Sequence, residues 1–134
     1  DPFLVTSSVE CFIAQRLVRI LCPKCKAPFK SNTVNIKKNF NLDIPDIGEV
    51  TLYENTGCKS CNNSGFLGRT GIYEFLILND EIRELIMQHS SATQIKNKAI
   101  ALGMTTLMQS GWQKVKSGIT TISELIRVTK EDNR

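Results

Sequence analysis

Two cysteine pairs, Cys22-Pro-Lys-Cys25 and Cys58-Lys-Ser-Cys61, constrain this chain more than any other feature. Two residues between cysteines let both thiolates grip one ion from a short knuckle. Two such knuckles complete the tetrahedral S4 shell that zinc prefers, and a closed shell is structural rather than catalytic. The 32 residues between Cys25 and Cys58 exceed the usual spacing of such ribbons. Lys24, Lys26 and Lys59 bring positive charge beside the thiolates. Five cysteines is an odd number and no signal peptide opens the chain, which argues against a disulfide framework. A redox dithiol needs one CxxC at a strand–helix junction rather than two knuckles. Structural Zn2+ held by Cys22, Cys25, Cys58 and Cys61 is the expected cofactor, with reduced thiols in the cytoplasm as the expected setting.

At 134 residues, 41% hydrophobic and 22% charged, the chain can bury a genuine core. A net charge of +4 without a dense basic stripe gives no case for nucleic acid as a partner. No apolar stretch approaches the length of a membrane span, so direct membrane insertion is not expected. Asp1-Pro-Phe-Leu-Val5 reads as an extended segment without an initiator methionine, and the chain is expected to be a fragment of a larger protein.

Apolar residues at Val9, Phe12, Ile13, Leu17, Ile20 and Leu21 recur at helical spacing after Thr6-Ser-Ser8, and predict a helix that ends at Cys22-Pro23. Residues 30–49 read as a polar insertion with one short helix. Glu49–Glu54 and Ile72–Leu78 have strand composition. Beyond them the pattern is helical. Asn79 or Asp80 caps Glu81–Gln88, with Ile82, Leu85 and Ile86 as the buried stripe. Ser91 with Gln94, and Thr121 with Glu124, fit capping boxes, while Gly103 and Gly118 fit helix ends. The expected class is α+β, mostly helical, with a short β-hairpin and zinc-knuckle subdomain inserted before a C-terminal helical bundle. The expected boundaries are a helix over 1–21, a tetracysteine subdomain over 22–66, and a strand plus helical subdomain over 67–134.

Catalytic motifs are absent from the sequence. There is no GxxxxGK[ST] loop to cradle phosphates, and no nucleophile adjoins the single histidine, His89. Cys11 reads as a buried thiol and Trp112 as a core anchor. From the residues alone, the chain is a zinc-stapled module that binds or transmits rather than catalyses.

Several stretches resemble one family in order along the chain. Ala14-Gln-Arg-Leu-Val-Arg-Ile-Leu-Cys-Pro-Lys-Cys25 resembles the approach to the tetracysteine motif of type II secretion ATPases. Gly57-Cys-Lys-Ser-Cys61 and Gly65-Phe-Leu-Gly-Arg-Thr-Gly-Ile-Tyr-Glu74 resemble the segment after it. Gly103-Met-Thr-Thr-Leu107, Gly118-Ile-Thr-Thr121 and Arg127-Val-Thr129 resemble the family's C-terminal end. Type IV pilus assembly ATPases share most of this pattern. A free-standing zinc-ribbon adaptor is the alternative from another class.

The resemblance implies a hexameric cytoplasmic motor, peripheral to the inner membrane through its partners. Its RecA-like core would carry the Walker motifs, with ATP and Mg2+ bound there, in the parent protein only. The implied partners are neighbouring ATPase subunits and inner-membrane secretion platform proteins. Glu81-Ile-Arg-Glu-Leu-Ile86 resembles a helix that pilus retraction motors need. Its apolar residues suit a core equally, which leaves the outward-facing Arg83 as a functional candidate. Arg16, Arg19 and Arg69 are further candidates for an intersubunit contact or for sensing a neighbour's nucleotide, because guanidinium pairs bidentately with phosphate and carboxylate. The plain alternative for each is a solvated side chain or a local salt bridge.

Overall fold

Residues 1–130 are described in a computed structural model of the chain, an α+β fold built as two units that interleave in sequence. The first unit comprises Asp1–Ala14 and Tyr73–Thr106; the second comprises Gln15–Ile72 and the chain from Leu107 onward. These divisions differ from the sequential boundaries expected at residues 21 and 66. The helical residues 80–101 fall in the first unit and 107–129 in the second.

The first unit opens with helix α1 (Pro2–Ser8), where an extended segment was expected. The Asp1 carboxylate accepts the Phe3 N–H at 2.9 Å, and Pro2 enters at the first helical position, where its missing N–H costs nothing. Helix α3 (Asp80–Met87) is capped by Asn79, whose side chain accepts the Ile82 N–H. Helix α4 (Ala92–Ala101) begins with the Ser91–Gln94 capping box. Leu78, Ile82 and Ala99 form the buried centre, with Val5, Val9, Leu76, Ile86, Ile95 and Met104 packed against it.

Strand β1 (Cys11–Leu21) overturns the expected helix over residues 9–21. Its partner is β4 (Phe66–Ile77). The side chains alternate: Ile13, Gln15, Leu17 and Arg19 are exposed, while Ala14, Arg16, Val18 and Ile20 are more covered. The spacing 9, 12, 13, 17, 20 satisfies a helix, but β-branched residues and a strand partner far along the chain decide for the ladder. Cys11 lies on this strand and is half-buried rather than in a helix core.

In the second unit β2 (Ala27–Asn32) runs antiparallel to β3 (Glu49–Glu54), pairing Phe29 with Leu52 and Ser31 with Val50. Helix α2 (Thr33–Phe40) is the short helix expected in the polar insertion. The Thr33 hydroxyl, fully buried, accepts the N–H groups of Ile47 and Gly48 at 3.0 Å each and donates to Asp46 Oδ1 at 3.1 Å. It ties the return loop to the start of α2. Helices α5 (Leu107–Lys116) and α6 (Ile122–Thr129) pack together. Gly111 permits their approach, since a Cβ there would collide with Leu125 Cδ1 and stand 3.3 Å from Ile72 Cδ1. Trp112 is buried beside it in sequence, a core residue as expected.

Candidate metal centre

The first knuckle turns on itself through the Cys22 carbonyl, which accepts the N–H of Cys25 at 3.4 Å and of Lys26 at 3.0 Å. The second is a single 3-10 turn, Lys59–Cys61, in which the Cys58 carbonyl accepts the N–H of Cys61 and of Asn63. The chain leaves that turn through Asn62 and Asn63, both at positive φ. Gly57 (φ +102°) must lack a side chain, because a Cβ would lie 2.7 Å from the Asn63 carbonyl oxygen. The Cys22 N–H donates to the Gly65 carbonyl at 2.9 Å and joins the two knuckles.

This backbone brings the four sulfurs within 4.8 Å of one another. Cys22–Cys58, Cys25–Cys61 and Cys58–Cys61 are each separated by 3.8 Å between Sγ atoms. A tetrahedral shell with Zn–S near 2.3 Å requires S···S separations of about 3.8 Å. The thiols are free, and a disulfide would need them about 2.05 Å apart. The cluster can hold a metal ion.

The local electrostatics suit a thiolate at Cys61. Burial pushes the Cys61 thiol up, but the N–H groups of Cys58 (3.2 Å) and Gly65 (3.1 Å) aim at its sulfur and bring it down to about 6. Burial raises Cys22 in turn. Cys22 and Cys61 are enclosed while Cys25 and Cys58 are half-buried.

The four candidate arginines are not brought together. Arg19 makes the local ion pair that was its plain alternative: its guanidinium donates to Glu124 Oε1 at 3.1 and 3.0 Å and lies 4.1 Å from the Phe66 ring centroid. Arg16 donates to the Gln15 carbonyl at 2.7 Å. Arg69 is exposed on β4, next to Gly68 at positive φ. Arg83, expected to face outward, is instead turned onto the end of α1. It donates to the carbonyls of Thr6 (3.0 Å) and Val9 (3.3 Å) and reaches Glu10 at 3.4 Å. A guanidinium satisfies carbonyls that a helix end leaves without partners.

Glu124 has a role that its local sequence does not reveal. Thr121 does cap α6 through the Glu124 N–H, but the Glu124 carboxylate does not complete a capping box. It accepts from Arg19 and Arg127 instead. An acid three residues before an arginine, Glu124 with Arg127, was the available signal.

A profile of the family described as "Type II/IV secretion system protein" matches residues 1–127. The type IV pilus assembly ATPase PilB of Myxococcus xanthus is 42% identical over 136 residues, covering 98% of this chain and 23% of its own length. The type II secretion system ATPase E of Vibrio cholerae is also 42% identical, over 132 residues, covering 98% of the chain and 25% of its own. The type II secretion system protein E of Pseudomonas aeruginosa is 38% identical with the same coverage of the chain. The chain spans about a quarter of the length of these relatives. No helix among the described residues is long and apolar enough to cross a membrane.

Proposed function

The chain belongs to the type II/IV secretion system protein family, and from that premise we propose that it is the C-terminal part of a cytoplasmic hexameric ATPase powering type II protein secretion. ATP turnover with Mg2+ belongs to the parent protein, because the residues described carry no phosphate-binding loop. This segment contributes a metal-stapled surface for neighbouring subunits or inner-membrane platform proteins, which would hold the motor at the membrane.

The observation that carries this reading is the cluster of Cys22, Cys25, Cys58 and Cys61 at tetrathiolate spacing inside a chain of this family. Bound there, zinc supplies folding free energy and no reactive position. The knuckle backbone presents N–H groups to Cys61, and β2, α2 and β3 make up the chain between the two pairs. Arg69, exposed on β4, is the arginine we assign to an intersubunit or nucleotide contact.

A second reading, a pilus assembly ATPase, rests on the equal 42% identity to the Myxococcus xanthus protein. Alignment of 98% of the chain with ATPases favours either motor over a free-standing zinc-ribbon adaptor. The test is native mass spectrometry of the chain with metal analysis, followed by ATP turnover and complementation by the full-length protein. One zinc per chain, lost in Cys22→Ser or Cys58→Ser with unfolding of residues 22–61, is expected. A folded chain without metal overturns the zinc assignment, and a full-length protein without ATP turnover overturns the motor. Restoration of piliation rather than secretion selects the second reading.

A further inference from the structure

The turn joining α5 to α6 bonds, at three successive residues, to the segments that flank the first knuckle. The Gly118 carbonyl accepts Lys26 Nζ at 2.9 Å, across 92 positions of sequence. The Ile119 carbonyl accepts the Leu21 N–H at 2.7 Å. The Thr120 hydroxyl, wholly buried, donates to the Arg19 carbonyl at 2.7 Å. Residues 19, 21 and 26 bracket Cys22 and Cys25 on both sides.

Lys26 joins the knuckle to this turn. Its N–H closes the knuckle on the Cys22 carbonyl, while its ammonium lies 4.9 Å from the Tyr53 ring centroid on β3. The ammonium is thereby engaged by Gly118 and Tyr53, beyond the charge-offsetting role that its sequence position suggests. A cation is well placed at the end of α5, where the helix carbonyls carry partial negative charge. Gly118 ends α5 at φ +76°, and a Cβ there would lie 2.9 Å from the Tyr53 ring and 3.3 Å from Lys26 Nζ. The turn is thus pressed directly onto the knuckle's exit.

We infer that the Gly118–Thr120 turn clamps the metal site, so that metal retention and the order of the α5–α6 pair are coupled, with Lys26 as the positioning residue. The inference rests on the metal reading above and adds to it. The metal stabilises α5–α6 as well as the 22–61 region, and substitutions on the turn, far in sequence from any ligand, loosen the metal. Coupling of this kind is reciprocal.

The full chain is loaded with zinc, its stoichiometry checked by native mass spectrometry, and metal release to excess pyridylazoresorcinol is timed. Lys26→Met and Thr120→Val are each expected to speed release about ten-fold, the low end of what groups just outside a metal's ligands carry. Lys26→Arg, which keeps a cationic donor, is expected to stay near the parent rate. In the zinc-loaded Lys26→Met chain, hydrogen exchange is expected to rise at the Gly118 and Ile119 amides but not in α3 or α4. Lys26 is half-buried, so this variant carries the test if Thr120→Val weakens folding. Parent-like release and exchange in zinc-loaded Lys26→Met overturn the clamp and leave the metal reading standing. A parent chain that binds no zinc overturns both.

Discussion

Glu124 holds Arg19 by both its backbone and its side chain: one carboxylate oxygen accepts the Arg19 N–H at 2.9 Å, the other its guanidinium at 3.0 Å. Arg127 closes on the same carboxylate at 2.8 Å. A single buried acid from α6 therefore fixes the segment of β1 that leads into the first knuckle. Burial by itself would raise its pKa, but the bonds from Arg127 and from the Arg19 N–H and guanidinium hold Glu124 at about 2, against an ordinary 4.5.

Replacing this acid by its amide should show the pH dependence directly. A depressed carboxyl pKa contributes stability that is complete above about pH 4.5 and lost as pH falls through about 2. Glu124→Gln is expected to cost about 2 kcal/mol at pH 7, less than the full shift implies because both guanidiniums are half exposed. Urea titrations at pH 7 and near pH 2 check it. An equal loss at both pH values would mean that packing, not charge, accounts for the effect.

Thr33 should behave as a loop lock. Its hydroxyl serves the amides of Ile47 and Gly48 and the Asp46 carboxylate in a wholly buried position. Thr33→Val keeps the shape and strands both donors, at a cost of about 1–3 kcal/mol. Amide exchange at Ile47 and Gly48 is the direct readout, and unchanged protection there would contradict the role.

Local chemistry was legible where it was self-contained. The cysteine knuckles, β3 over Glu49–Glu54, the Asn79 cap and the Ser91–Gln94 box all depend on neighbours a few residues away. What failed to show depends on distant partners. Strand β1 carries spacing compatible with a helix, and only pairing with β4 makes it extended. Strand β2 was hidden because Pro28 and Lys30 give Ala27–Asn32 little strand character until β3 pairs with it. The Asp1-Pro2 start reads as extended in the sequence, although the same two residues suit an N-cap and first helical position. Glu124 looked like a cap residue because its arginine partner on β1 lies 105 positions away.

Arg83 should act as a fastener for α1 rather than as an outward contact. Its guanidinium satisfies the carbonyls of Thr6 and Val9, at the end of that helix. Arg83→Met keeps most of the stem and removes the donors, with an expected loss of about 1 kcal/mol. Limited proteolysis or exchange confined to residues 1–9 should report it. If α1 keeps its protection while an activity of the full-length protein falls, the outward role regains support.

Gly111 offers a test in which two effects oppose. Within an α-helix, glycine to alanine normally stabilises by about 0.5–1 kcal/mol through reduced backbone freedom. At this position the new Cβ meets Leu125 Cδ1, with Ile72 Cδ1 at 3.3 Å, inside the α5–α6 contact. Leu125 and Ile72 are both fully buried, and protein interiors are close-packed. Overpacking of such a core costs about 1–3 kcal/mol, so the steric effect wins and Gly111→Ala is expected to be destabilising on balance. A compensating Leu125→Val change withdraws the Cδ1 methyl from the clash and should recover part of the loss in Gly111→Ala, while destabilising the parent. Thermal melts of the two single variants and the double variant form the cycle. Additive losses would show that α5 and α6 do not meet at this pair.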